Sequence, residues 1–552
     1  MIRLQLRAFI VIFLLFYEGT LLPSDKYWVF ISEESLNRFL GKQVLYDEKA
    51  EIRHVKAGYI TSWKDFYPDK RIYNKLELYV NRIEGYSRFL GAFSCRINKD
   101  RIGELQKLSF VKKIIPVGKY KSTCGSYIPV NIGLRKSANV YGYSYWQLEM
   151  LNIPQLHSRG LTGKGIRIAL FDTGFMKSHE AFNRLINNEL LLAERDFIYK
   201  DTEVEDEPGE YPQQWHGTMV LSLISGYVPG VLIGASYDSE IILAKTEDVR
   251  SETTIEEDNY IFAIEWADSL GADIISTSLG YRDFDDTTYS FEIIDGKTAP
   301  ISIAVNEAFK RGIIIVTAAG NEACKYRDGG ILTPGDAFGA ITVGAVDSLG
   351  NIAYFSSHGP TFDGRVKPDV CAMGVYTFGA IDDGVFYGWG SGTSLATPLI
   401  AGGCALILQA NPNLKPCDVL NILRSSGDRA FSPDNLYGWG IPDISEAVER
   451  ALVLNNLSKV KSEIIPYPNP AKELINFAVE IDNVKIDKSI LSINIYNILG
   501  QLVWENKQEI YPVGGYYNLS GLELDIPAGI YLYRVKIDNK VIGSGKFTFF
   551  KR

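Results

Sequence analysis

The chain of 552 residues holds only six cysteines, five histidines and five methionines. The cysteines (Cys95, Cys124, Cys324, Cys371, Cys404, Cys417) include no Cys-x-x-Cys pair, so the usual zinc and dithiol-redox motifs are unsupported. Export would permit disulfides, but spacing alone does not pair these six. No His-Glu-x-x-His occurs, which excludes a helix-borne zinc hydrolase site. Low-complexity tracts and internal repeats are absent, and 46% hydrophobic with 22% charged residues is ordinary for folded domains. Positive charge is in deficit: 57 Lys and Arg against 66 Asp and Glu leave a net charge of -9. That gives no basic face, so no nucleic-acid partner is expected. Beyond the N-terminus, no stretch approaches membrane-spanning length.

What is present divides by texture, and the length allows two to four domains. Arg3 and Arg7 precede an unbroken apolar run, Ala8 to Phe16, and polar sequence begins at Asp25. A basic start and a short apolar stretch read as a secretory signal, residues 1–23. Residues 24–130 read as a small α+β domain and linker. Strands are expected at Leu76–Val80, Gly91–Ile97 and Val111–Val117, and a helix at Lys99–Leu108. From 131 to 455 apolar strands alternate with amphipathic helices. Ile166–Phe171, Glu240–Ala244, Ala272–Ser276, Gly312–Ala318 and Ala340–Ala345 are β-branched and almost uncharged, which suits strands buried on both faces. The fold class is therefore α/β, three layers around a mostly parallel sheet. Two polar insertions, Asp201–Tyr211 and Tyr281–Pro300, read as surface loops. After a linker at 456–466, residues 467–552 carry only strands and turns and read as a β-sandwich.

Active sites of open parallel sheets gather at the carboxyl ends of the strands. Asp172 stands at such an end and is followed by Thr173–Gly174. Asp-Thr-Gly is also the motif of aspartic peptidases, but that chemistry needs two carboxylates, and no second copy exists. His216, in Trp215–His216–Gly217–Thr218, opens an apolar helical run and suits a general base. Among the five histidines its only competitor is His358, where Pro360 indicates a turn. Ser394, in Gly390–Ser391–Gly392–Thr393–Ser394–Leu395–Ala396–Thr397–Pro398, opens a helix whose free N–H groups can hold an oxyanion. Each residue alone also reads blandly, as a turn Asp, a helix-start His or an N-cap Ser. Asn321, past Gly312–Gly320, is a turn residue or an amide donor. Gly160, Gly163 and Gly165 precede their strand, so they do not form a dinucleotide loop, which must follow one.

Together, in the order Asp, His, Asn, Ser, these motifs resemble the subtilisin-like serine peptidases, the subtilases. The resemblance runs through Gly163–Gly165, Asp172–Gly174, His216–Thr218, Ser276–Gly280, Ala318–Asn321, Phe355–Pro360, Lys367–Val370 and Gly392–Pro398. It implies an endopeptidase with Ser394 as nucleophile, His216 as base, Asp172 holding the histidine tautomer, and Asn321 in the oxyanion hole. Ser278, Leu279, Gly280, Ala318, Ala319 and Gly320 would be the backbone walls of a cleft for a protein or peptide substrate. Leu399 departs from the histidine that the family often has after the proline, and the Tyr281–Pro300 insertion is extra. No cofactor or catalytic metal is implied. Family members often hold structural calcium, for which an acidic loop such as Asp201–Glu210 offers oxygens without a specific ligand set.

By position, the N-terminal α+β segment is similar to the family's propeptides, with self-cleavage expected between Gly118 and Ala138. Tyr467–Ala471, Ile495–Gln501, Pro527–Tyr531 and Lys546–Arg552 resemble the type IX secretion sorting domain of Bacteroidota. That implies the type IX machinery as a partner and a location outside the cell or on its surface. A monomer is expected. The reading from another class is an inactive binding or adhesion protein on the same fold.

Overall fold

The computed structural model describes residues 25–116, 126–130, 137–209, 211–249, 255–283, 288–381, 384–457, 465–472, 474–484, 489–510, 513–537 and 540–550. The signal segment 1–23 and most of the expected cleavage stretch lie outside these residues. The chain forms two compact units, residues 1–44 with 61–118, and residues 45–60 with 119–552.

The first unit is a four-stranded antiparallel sheet, in the order Arg82–Ser87, Ala92–Ile97, Asp25–Ile31, Val111–Pro116. Its core is Val29, Ile31, Leu36, Ile72, Leu76, Phe93 and Ile97 with their neighbours. The strand expected at Leu76–Val80 is not formed. Lys70–Glu77 is a helix instead, N-capped by Asp69 and burying Ile72 and Leu76. The i, i+4 spacing and the cap outweigh a short alternation of apolar residues. The helix expected at Lys99–Leu108 shortens to a 3-10 turn, Lys99–Arg101, and one helical turn, Ile102–Leu105.

The second unit is built on a seven-stranded sheet, parallel throughout. Its order is Val370–Met373, Ala340–Val346, Ile314–Ala318, Ile274–Thr277, Arg167–Asp172, Glu240–Lys245, Leu191–Asp196. Ile314–Ala318 and Ala340–Val346 are buried at every residue, as an apolar β-branched run must be when helices cover both faces. Side chains alternate between the layers. Ile168 and Leu170 join the core around helices Trp215–Ser225 and Thr393–Ala410, while Phe171 turns to Tyr260 of helix Ile255–Ser269. Thr393–Ala410 is long and apolar enough to cross a bilayer, but it is the central core helix, 89% buried. Two strands, Leu191–Asp196 and Val370–Met373, were not anticipated. The first carries charges at the sheet edge, and the second has only four residues.

Residues 465–550 form a second seven-stranded sheet, antiparallel except where Ala471 and Lys472 run parallel to Phe549 and Phe550. It curls over its own core. Phe477 meets Tyr533 at 5.1 Å although two strands stand between theirs in the sheet. Phe477, Ile493, Val535 and Phe547 are fully or almost fully buried there.

Candidate active site

Asp172 is the last residue of its strand and is fully buried. Its Oδ1 accepts hydrogen bonds from His216 Nδ1 at 2.7 Å and from Thr173 N at 2.8 Å. Thr173 Oγ1 is oriented by donating to Gln213 O at 2.7 Å. The Asp172 carbonyl in turn receives Thr246 N at 2.9 Å, just beyond the neighbouring strand. Backbone and side chain are thus fixed together.

His216 is the second residue of helix Trp215–Ser225 and is 3% exposed. Gly217 explains why this helix can come so close. A Cβ there would lie 2.1 Å from Gly174 O and 3.0 Å from Asp172 Cβ, so no larger residue fits. A carboxylate can only accept, so His216 Nδ1 donates and the neutral ring presents Nε2 as the basic nitrogen. Nε2 is buried with no hydrogen-bond partner among the described residues. An unpaired buried nitrogen at a strand rim is what a base awaiting its proton donor looks like.

Ser394 is the second residue of helix Thr393–Ala410, after an extended Gly392. A Cβ built on Gly392 would lie 2.8 Å from Ser394 Oγ, 3.6 Å from Asn321 Nδ2 and 3.7 Å from Ser394 N. Hydroxyl, amide and backbone N–H therefore surround one point, and only glycine leaves that point empty. Leu395 of the Ser394 helix and Met219 of the His216 helix both lie over Gly390, where a Cβ would come within 2.6 and 3.0 Å of them.

Asn321 follows strand Ile314–Ala318 through Ala319 and Gly320, whose φ of 111° suits glycine. Its Oδ1 accepts from Thr393 N at 2.9 Å and Thr393 Oγ1 at 3.2 Å, which orients Nδ2 as the outward donor. Thr393 Oγ1 itself receives Gly320 N at 3.2 Å. Thr393 is therefore the hinge between nucleophile and amide. Nothing in the sequence singles out Thr173 or Thr393, although each lies inside one of the motifs.

Of the expected cleft walls, Ser278–Gly280 continues strand Ile274–Thr277, and Ala318–Gly320 ends its neighbour, the two strands pairing at Thr277 and Thr317. A Cβ on either Gly280 or Gly320 would strike Leu332, at 2.8 and 2.7 Å, so both walls rest on that side chain. Ser278 has a further task. Pro398 has no N–H, so the Ser394 carbonyl lacks its helical donor, and Ser278 Oγ supplies one at 2.6 Å.

The other histidines are engaged elsewhere. His179 is held between Phe386 O and Ala181 N, His157 by Tyr141 and Ala235 O, and His54 by Asp268. His358 Nδ1 is taken by Gly359 O, and its ring lies against Gly329. The loop at 201–209 is pinned rather than loose. Asp206 Oδ2 accepts Gln213 N at 2.6 Å and Gln214 N at 2.9 Å, just ahead of the His216 helix. Among the described residues, no three His, Cys, Asp or Glu side chains are grouped to hold a metal. The Tyr281–Pro300 insertion is anchored through the Arg282–Asp328 pair, with an approach of 2.6 Å. Cys324, Cys371 and Cys404 are free thiols, and Cys124 lies outside the described residues.

One carboxyl beside the triad was not anticipated. Glu247 is 1% exposed, bonded to the Tyr281 hydroxyl through one oxygen, with the other unpartnered. Burial, opposed by that hydroxyl and reinforced by the charge of Asp172, pushes its pKa up to about 8.

Comparison with known proteins agrees with this architecture. Residues 163–440 match the family model described as the subtilase family, and residues 466–547 match that of a secretion system C-terminal sorting domain. The chain is 32% identical to the serine protease AprX of Bacillus subtilis (strain 168), over 52% of this chain and 67% of that protein. It is 28% identical to subtilisin Savinase of Lederbergia lenta, over 55% of this chain and 97% of the relative. An alkaline protease of Alkalihalobacillus alcalophilus is also 28% identical, over 55% of this chain and 69% of the relative.

Proposed function

The chain belongs to the subtilase family, and on that premise we propose that it is a serine endopeptidase acting through Asp172, His216 and Ser394. Its C-terminal domain is a type IX secretion sorting domain, which directs the protein out of the cell or onto its surface.

The observation that carries the reading is the oriented base. With Nδ1 committed to Asp172 at 2.7 Å, Nε2 takes the proton of Ser394 Oγ as the oxygen attacks the scissile carbonyl. The negative charge moves onto the carbonyl oxygen, and the donors grouped near Gly392, Asn321 Nδ2 and Ser394 N, receive it. His216 then gives the proton to the leaving amine, and an acyl-enzyme remains. Water, deprotonated by the same nitrogen, breaks the ester by the reverse path. Asp172 stays ionised and stabilises the imidazolium. The substrate lies extended between Ser278–Gly280 and Ala318–Gly320, and no step calls on a cofactor. Self-cleavage between Gly118 and Ala138 would be the same reaction on the enzyme's own chain.

The test is labelling with a serine-directed phosphonate, followed by peptide mapping. Label on the Ser394 peptide in the wild type, lost in Ser394→Ala, is the expected result. Mature protein that takes no label would overturn the assignment and favour a binding role.

A further inference from the structure

Residues 45–60 precede the peptidase region by many residues, yet they form one compact unit with it. Their helix, Glu48–Ala57, is N-capped by Asp47 and ends at Gly58 with φ 72°. It buries charge and exposes apolar side chains. Arg53 is 2% exposed and His54 8%, whereas Ile52 is 60% and Val55 79% exposed.

The buried charges meet the carboxyl ends of two peptidase helices, Ile255–Ser269 and Pro300–Lys310. Helix ends present orphan carbonyls and a partial negative charge, which a cation neutralises. Arg53 donates to Asp268 O at 3.1 Å and Arg311 O at 3.2 Å, and more closely to Ala272 O and Asp268 Oδ1. Lys49 reaches Gly165 O at 2.8 Å and Asp273 at 2.7 Å, and Lys56 reaches Pro412 O at 2.9 Å. Tyr46 accepts from Arg311 at 2.9 Å, and Tyr59 lies under the same guanidinium, 4.1 Å from ring centre to carbon.

The fit requires small residues on the receiving side. Gly271 and Gly312, at φ 74° and 91°, follow the two helices. A Cβ on Gly271 would lie 2.9 Å from Ala50 N, and one on Gly312 would lie 3.0 Å from Arg53 Cγ and from Ala57 Cβ. Asp268 is fully buried. Burial pushes its pKa up, but Arg53, the His54 hydrogen bond and Arg311 more than offset this and hold it at about 2. Without the segment, two helix ends would lose these donors, and Asp268 would lose Arg53 and His54 while keeping Arg311.

We propose that residues 45–60 are a permanent part of the peptidase domain, and that the fragment carrying them stays docked non-covalently after the chain is cut between Gly118 and Ala138. Only the cut itself rests on the peptidase reading. The segment is thus a structural subunit of the active enzyme rather than a leader released on activation.

Two measurements test this. In a full-length Ser394→Ala chain with a tobacco etch virus protease site inserted after Gly118, docking is read without self-cleavage. After cutting, the N-terminal fragment should co-elute with the peptidase. Arg53→Glu should weaken that association on the order of a hundredfold or more, while Ile52→Glu on the exposed face leaves it unchanged. A wild-type fragment that separates, or an Arg53→Glu fragment that binds as tightly as wild type, would overturn the proposal. Second, denaturing mass spectrometry of purified active wild type should find a peptide spanning 45–60 at one copy per peptidase. Active enzyme without it would also overturn the proposal. A wild type that never cuts itself would count against the peptidase reading, while the inserted-site experiment still decides docking.

Discussion

His216 Nδ1 donates to Asp172 Oδ1 at 2.7 Å, joining a helix start to a strand end 44 residues apart in sequence. The bond selects one tautomer of the ring. Asp172→Asn should keep the fold, since the amide fits the same buried space, but it can donate to Nδ1 and so turn the ring proton to Nε2. The expected loss in kcat is on the order of 10^4-fold at neutral pH, as in other enzymes with this triad. Peptide hydrolysis under saturating substrate checks it. A loss below tenfold would remove Asp172 from that role.

Asn321 and Thr393 should differ in degree. Asn321→Ala removes one oxyanion donor and should lower kcat by roughly 10^2 to 10^3, the loss found for that donor in subtilisin itself. Thr393→Val deletes one of two bonds to Asn321 Oδ1 and the acceptor of Gly320 N, and leaves the Thr393 backbone N–H in place. Its expected cost is about tenfold, the worth of one or two hydrogen bonds and below that of losing the amide itself, with KM little changed. Equal losses in the two variants would mean that Thr393 does more than aim the amide.

How far the sequence could be read follows from what holds each part together. Asp172, His216, Ser394 and Asn321 were legible because each sits in a motif whose neighbours, such as Gly217 and Gly392, are dictated by contact. The sheet was legible because its strands are apolar on both faces. Helix Glu48–Ala57 was not, because it packs by charge. Apolar periodicity points to Ile52 and Val55, the exposed side, and away from Arg53. Glu247 was equally hidden, since nothing local marks a carboxyl that ends up buried against Tyr281.

Ser278→Ala tests the support beneath the nucleophile. Pro398 denies the Ser394 carbonyl its helical donor, and Ser278 Oγ replaces it at 2.6 Å. Losing that bond leaves a carbonyl unpaired, a cost of roughly 1–3 kcal/mol. Turnover should fall about tenfold with KM nearly constant, because the backbone wall is unaltered. Ser278→Thr keeps the hydroxyl and should recover most of the activity. If Ala and Thr behave alike in steady-state kinetics, the hydroxyl does not support Ser394.

Glu247 should make the fold less stable as pH rises. Its folded pKa, pushed up to about 8 chiefly by burial, lies above the ordinary 4.5. Below the ordinary value the carboxyl is protonated in both states, and stability is full. Between the two values the unfolded chain ionises while the folded chain holds its proton, so stability drains away until the folded pKa is reached. Glu247→Gln keeps an acceptor for Tyr281 and cannot ionise, so it should abolish this decline. Asp336, raised by burial to about 6, and His157 and His179, lowered by burial, remain in both chains, so the difference between the two curves isolates Glu247. Calorimetry at several pH values from 5 to 8, on Ser394→Ala chains that cannot digest themselves, measures the difference. The gap in Tm between the Gln variant and its parent should widen toward pH 8. Parallel curves would mean that Glu247 is ionised in the folded protein, and that the sheet end carries two adjacent negative charges beside His216.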